Sequence, residues 1–198
     1  MPRVSPEYLA ARRQHILSAA ARRFVRDGFH HTSIQDVIDE AELSPGGVYR
    51  YFRSKNDIII AISLEAVGAV TAVVEDAMRT RRPLDELVAD LPRAIAELDR
   101  ADDRMRLAVQ AWGEALRNPD LAAALQDGVA QVITSLRERI LMGQRDRDVA
   151  AQVDPDAAAS ALLALIQGFI LQRAWNPDLS ADAYGTEAGH LVAGLLAT

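Results

Sequence analysis

The chain has 198 residues, 49% apolar and 25% charged, with no cysteine and a formal net charge of −6. It is long enough for one domain or two and apolar enough to bury a core; the lack of cysteine excludes disulfides and thiolate zinc sites and fits a cytoplasmic protein. No apolar run of about 18 residues is expected, and so no membrane span, and the amino-terminal stretch lacks the apolar core of a signal peptide.

Ser5-Pro6-Glu7 predicts the start of a first helix, with a cap, a proline at the first helical position and an acid in the first turn. Leu9, Ile16, Leu17, Ala20, Phe24 and Val25 form its apolar stripe, and Gly28 is its expected stop. Arg12, Arg13, Arg22 and Arg23 lie mostly off that stripe and read as a solvated face, with one or two as candidates to touch a phosphate backbone. His30-His31 has no carboxylate or cysteine company, makes a poor metal site and reads as surface loop.

Thr32, with Gln35 three residues later and Ile34, Val37 and Ile38 at helical spacing, predicts a capping-box start for a short second helix ending near Glu40. Ala41-Glu42-Leu43 then turns the chain, Ser44 caps, and Pro45 opens a third helix. Two glycines follow, Gly46 and Gly47, at a cost of roughly 1 kcal/mol each against alanine. Close backbone approach to a large partner explains them better than helix stability does. Val48 and Phe52 face the core, while Tyr49, Arg50 and Tyr51 project outward. Ser54 caps a long fourth helix, with Asp57 at the capping-box position and Lys55, the only lysine, at its amino end. That helix runs to about Thr80, burying Ile58, Ile59, Ile62, Ala66, Val70, Val73, Val74 and Met78.

Pro83 opens a fifth helix carrying Leu84, Leu87, Leu91, Ile95 and Leu98, and Pro92 inside it is expected to kink or break it. A sixth helix holds Met105, Ala108, Ala111, Trp112 and Ala115 and stops before Asn118-Pro119. The seventh carries Leu121, Leu125, Val129, Val132, Leu136 and Ile140, and the polar segment from Gly143 to Asp154 is expected to be an exposed loop. Asp154-Pro155 starts the eighth, and Ser180 caps a last helix ending near Ala197. Ala157, Ala161, Ala164 and Gly168 form a small-residue track beside Leu162, Leu165 and Phe169, which fits a subunit interface or, alternatively, an ordinary buried core helix.

Charge is unevenly spread. Residues 1–55 carry nine Lys/Arg against six Asp/Glu, a net +3, and the remaining 143 carry 13 against 22, a net −9. A basic head on an acidic body suits a DNA-facing first part. Two short helices joined by a tight turn suit the major groove, the second entering by its amino end while hydroxyls, basic groups and helix N-termini meet phosphates. The same spacing is compatible with a three-helix packing module that has no ligand.

Thr32, Ala41, Ser44, Gly46, Tyr49, Tyr51, Phe52, Ser54 and Lys55 give the stretch a specific resemblance to the DNA-binding domain of the TetR family of bacterial transcriptional regulators. The match is dense over about the first 55 residues and looser beyond. The resemblance implies an all-α fold of about nine helices: a helix-turn-helix domain over residues 1–55 and a helical effector-binding and dimerisation domain over 56–198. It assigns DNA contact to Thr32, Ser44, Pro45, Gly46, Gly47, Tyr49, Arg50, Tyr51 and Lys55. It also implies a homodimer bundled through the last two helices, here Ala157, Ala161, Leu162, Ala164, Leu165, Gly168, Phe169, Leu191 and Leu195.

The implied partners are a near-palindromic double-stranded operator and an unidentified small-molecule effector, with no cofactor, metal or membrane. Met78, Met105, Gln110, Trp112, Glu114, Gln167, Phe169 and Trp175 are the candidate pocket residues, and the −9 charge leans toward cationic or neutral effectors. The expected function is that of a ligand-responsive repressor, with an activator also compatible. The alternative is an architectural or protein-recruiting DNA binder without an effector. No Ser/His/Asp arrangement, His-Glu-x-x-His or phosphate-binding glycine loop is present, and the only histidines are His15, His30, His31 and His190, so no enzyme is expected.

Overall fold

The computed structural model describes residues 5–80, 82–99 and 103–196, and all regular structure among them is helical. Nine helices follow in order: α1 (Pro6–His31), α2 (Ile34–Glu40), α3 (Pro45–Tyr49), α4 (Lys55–Thr80), α5 (Leu84–Asp99), α6 (Arg104–Ala115), α7 (Pro119–Asp146), α8 (Pro155–Trp175) and α9 (Ala181–Leu196). Four of them open on a cap followed by proline: Ser5-Pro6, Ser44-Pro45, Asn118-Pro119 and Asp154-Pro155, and in each the cap side chain accepts a first-turn amide.

Two apolar clusters fill the interior. One packs Ile16, Leu17 and Phe24 of α1 with Val37, Ile38, Val48, Phe52 and Ile58, and draws in Leu107, Ala111, Leu121 and Leu125 from α6 and α7. The other joins α5, α7, α8 and α9 through Leu87, Leu91, Leu136, Ile140, Leu162, Phe169 and Val192. Trp112 packs against both.

Several expectations are corrected. The capping box of α2 is formed by Ser33 and Asp36: the Asp36 amide donates to Ser33 Oγ at 3.1 Å and the Ser33 amide donates to Asp36 Oδ2 at 2.8 Å. Thr32 lies one residue too early. Its hydroxyl donates to the Gly28 carbonyl at 2.8 Å, and Gln35 donates to Asp39. Gly28 does end the long run of α1, in the left-handed region at φ 78°, but one more turn follows to His31.

Pro92 does not break α5, which runs through it as one helix. The proline is buried in a small apolar void with Val88, Phe169 and Tyr184, so packing of α5 on α8 and α9 compensates the missing N–H bond. The polar segment after Gly143 is only partly a loop. α7 continues to Asp146, Arg147 turns left-handed at φ 67°, and the chain folds back so that Val149 rests on Gly143. The Asp148 amide donates to the Gly143 carbonyl and Gln144 Nε2 donates to the Ala150 and Val153 carbonyls, leaving Val149 and Ala150 buried. Finally, α8 is long and apolar enough to cross a membrane by length and composition, against the expectation that no such run exists. Its Leu162, Ile166 and Phe169 face is buried inside the protein, as in a core helix.

Candidate DNA-contact surface and effector cavity

The short α3 is held by its ends. Ser44 Oγ accepts the Gly47 amide at 3.2 Å, and Val48 and Phe52 anchor it to α1 and α4. Its outward side is bare: a Cβ at Gly46 would meet nothing within 4 Å. Ser44, Pro45 and Arg50 are exposed, and Tyr49 is 47% exposed with no hydrogen-bond partner among the described residues. Tyr51 is half-buried against the core, so it offers an edge rather than a projecting side chain. Thr32 is buried, and its hydroxyl is committed to Gly28. Lys55 Nζ donates to the Phe29 carbonyl at 2.6 Å, which ties α4 to the last turn of α1 and leaves two of the three ammonium donors for another partner.

The arginines of α1 have a different task from the solvated face expected of them. Arg22 pairs with Glu40 at 3.0 Å and Arg23 with Asp36 at 2.8 Å, both fastening α1 to α2. The Asp36 carboxyl is pulled down from 3.8 to about 2, first by the Ser33 hydroxyl, then by the Ser33 amide and Arg23. Arg26 reaches Asp27 and Glu40, and Arg13 pairs with Glu65 of α4 at 3.1 Å. Arg50 and Arg53 form no ion pair among the described residues. Arg12 of α1 likewise pairs only with the Tyr8 hydroxyl and ring, so among the described residues of the head the arginines without an ion pair are Arg12, near the start of α1, and Arg50 and Arg53, beside and after α3, where phosphates would lie.

Behind the head lies an apolar cavity. It encloses about 80 Å³ of space open to water-sized atoms and is walled by α1, α4, α6, α7 and α8. Leu17, Ile62, Leu107, Val129, Leu163 and Ile166 supply much of the apolar wall, and Gln14, Ser18, Ser63, Glu65 and Gln167 the polar points. Of the expected pocket residues, Trp112 and Gln167 line it.

Others do not. Met105 and Phe169 are buried in the core of the body. Gln110 donates to the Phe24 carbonyl at 3.4 Å and Glu114 pairs with His30 at 3.2 Å, so both link α6 to the end of α1. Trp175 is largely exposed. The side chain of Met78 lies outside the described residues. The sequence reading missed Gln14, Ser18, Ser63 and Glu65. For α1 a signal existed: Gln14 and Ser18 interrupt its apolar face one turn apart, beside Leu17 and Ala21.

The expected dimer face divides. Leu162 and Phe169 are buried within the single chain, because α8 turns them toward α5, α7 and α9, and are corrected to core. Ala157, Ala161 and Ala164 stay exposed, Gly168 and Leu165 are half-buried, and Leu191 and Leu195 are 66% and 54% exposed on α9. No group of three or more His, Asp or Glu side chains gathers to hold a metal among the described residues.

Residues 16–62 match the family described as "Bacterial regulatory proteins, tetR family", and residues 83–197 match "BetI-type transcriptional repressor, C-terminal". The HTH-type transcriptional regulator UidR of Escherichia coli K12 is 26% identical over 176 residues, covering 89% of this chain and 85% of UidR. The HTH-type transcriptional repressor Rv1474c of Mycobacterium tuberculosis is 25% identical over 179 residues, covering 90% of each. Among solved structures, Salmonella enterica GusR superposes over 100% of both chains with a TM-score of 0.77 at 26% identity. Bacillus subtilis FadR in complex with stearoyl-CoA shares the fold at 17% identity, with a TM-score of 0.79 over 92% of this chain and 98% of FadR. The helix-turn-helix, the helical body behind it and these matches across nearly the whole length agree: the chain belongs to the TetR family of DNA-binding bacterial transcriptional regulators.

Proposed function

We propose that the protein is a cytoplasmic homodimeric repressor, with a head over residues 1–55 and a body over 56–198, that leaves a near-palindromic operator when a small molecule enters the cavity. The reading rests on one observation: a wall of the cavity is α1 of the head, through Gln14, Leu17, Ser18 and Ala21. Space of about 80 Å³ holds a few waters. Any larger ligand must displace a wall, and displacing α1 moves α2 and α3, which are fastened to it by Arg22, Arg23 and the shared core. A dimer reads two half-sites only when its recognition helices stand roughly 34–36 Å apart. A ligand that favours another spacing lowers DNA affinity by its preference between the two states. The FadR relative in fold was solved with stearoyl-CoA, which supports a ligand-binding role for a body of this architecture.

The contacts we assign to DNA are the exposed side of α3, Ser44 to Arg50, with the edge of Tyr51 and the free donors of Lys55. Pairing of two chains is assigned to the exposed tracks of α8 and α9. The test is fluorescence anisotropy of the full chain on duplex DNA from upstream of its own coding sequence, with scrambled DNA as control and salt varied. Expected is tight, salt-sensitive binding confined to a near-palindromic site, with two chains per site. Arg50→Gln should lower the salt slope by about one. Equal weak binding to both duplexes would favour an architectural role, and an unchanged slope in the variant would remove Arg50 from the phosphate contacts.

A further inference from the structure

We propose that the cavity takes an amphiphile with an apolar tail and a cationic, amine-like head, and that Glu65 receives the head. This rests on the reading of the cavity as the effector site and adds the chemical class of its ligand. Among the described residues lining the cavity, Glu65 is the one charged side chain; the other polar groups, including Gln14, Ser18, Ser63 and Gln167, are neutral. A carboxylate or phosphate brought in would face Glu65 and find no cation among the described lining residues; the nearby Arg13 is already engaged by Glu65 at 3.1 Å, so two like charges would compete for one partner. An ammonium group meets the reverse situation, and the long apolar wall covers its tail.

The surroundings of Glu65 connect that choice to DNA. Its carboxylate accepts from Arg13 at 3.1 Å and from Gln14 at 3.5 Å, both on α1. The guanidinium of Arg13 also lies over the ring of Phe52, 5.4 Å from its centroid, just beyond the end of α3. An incoming ammonium that takes Glu65 leaves that carboxylate paired and deprives Arg13 of its partner on α4. A neutral ligand of equal length fills the same space and leaves the Arg13–Glu65 pair closed. An anion drawn to Arg13 would have to displace Glu65 without offering it a replacement.

The sequence holds two tryptophans, Trp112 in the wall and Trp175 outside, so a Trp175→Phe background leaves Trp112 as the reporter. The full chain is titrated with octylamine, octanol and octanoate at neutral pH and fixed ionic strength, following Trp112 emission and melting temperature. Octylamine is expected to bind at least about tenfold more tightly than octanoate, and to release DNA at a lower fractional occupancy than octanol. Glu65→Gln should bring octylamine to the octanol level. Octanoate binding as tightly as octylamine, or a preference for octylamine that survives in Glu65→Gln, would overturn the ligand class while leaving the cavity as an effector site. If none of the three moves Trp112 emission or the melting temperature, the effector reading fails, and this proposal with it.

Discussion

Gly46 and Gly47 of α3 and Gly185 and Gly189 of α9 stand in opposite surroundings, while a Cβ at Gly194, the third glycine of α9, would meet nothing within 4 Å. In α9 a Cβ at Gly185 would run into the carbonyl oxygen of Ala89, and one at Gly189 would lie 3.0 Å from the carbonyl oxygen of Asp85. The glycines there let α5 and α9 pack backbone against backbone. In α3 a Cβ at Gly46 would touch nothing, and at Gly47 it would make only ordinary contact with Ser44 and Leu43. Each glycine costs a helix roughly 1 kcal/mol against alanine. The chain itself explains that cost at Gly185 and Gly189. In α3 no contact inside the chain does; Gly68, Gly113 and Gly194 are open in the same way, and what sets α3 apart is two adjacent glycines on the face proposed to meet DNA. Glycine content alone would have treated the two helices alike.

The comparison can be broken most directly in α9. Gly185→Ala should force α5 and α9 apart and cost about 1–3 kcal/mol of stability, seen as a drop of several degrees in thermal unfolding. An unchanged melting temperature would mean that the close approach is not needed.

Gly46→Ala should do the opposite to the fold and harm the function. It should raise stability by up to about 1 kcal/mol while weakening or redirecting operator binding in the anisotropy assay. Operator affinity equal to that of the parent would show that the bare face of α3 is not kept bare for DNA.

The smallest effect sharpens the contrast from the side of the head, whose helices are fixed by polar caps and ion pairs rather than by backbone contact. The Asp36 carboxyl is held at about 2 against an ordinary 3.8 by Ser33 and Arg23. Its contribution to stability is therefore present above the ordinary value and is lost as pH falls from near 4 through 2. An NMR titration of the Asp36 side chain should show the lowered midpoint, and Asp36→Asn should remove that part of the acid sensitivity. A normal midpoint would mean that the Ser33–Asp36 cap is loose in solution.

Much of the head was legible because its signals are local. Ser5-Pro6 and Ser44-Pro45 begin their helices at the positions read from sequence, and Val48 and Phe52 are core four residues apart, as their spacing implies. The start of α2 was misread because two adjacent registers offer similar chemistry, Thr32 with Gln35 and Ser33 with Asp36. Arg23 of α1 reaches Asp36 and favours the second, and no local pattern reveals that. Gln110 and Glu114 lie outside the cavity behind the head: they bond to the end of α1 and line a separate open cleft with His30, His31 and Arg117. A polar residue on an apolar helix looks the same in sequence whichever of two such spaces it faces.

By itself the sequence determined where most helices begin, which faces they bury, that residues 1–55 are basic and the rest acidic, and that α3 carries two glycines unfavourable to a helix. These follow from caps, from periodicity and from charge, all short-range properties of the chain. The tertiary structure alone decided that Arg22, Arg23 and Arg13 of α1 are spent on Glu40, Asp36 and Glu65, that α5 survives Pro92, and that the void behind the head opens against α1. Periodicity says which face of a helix turns inward. Whether five such faces close completely or leave a cavity depends on how their side chains interdigitate, and that has no period along the chain.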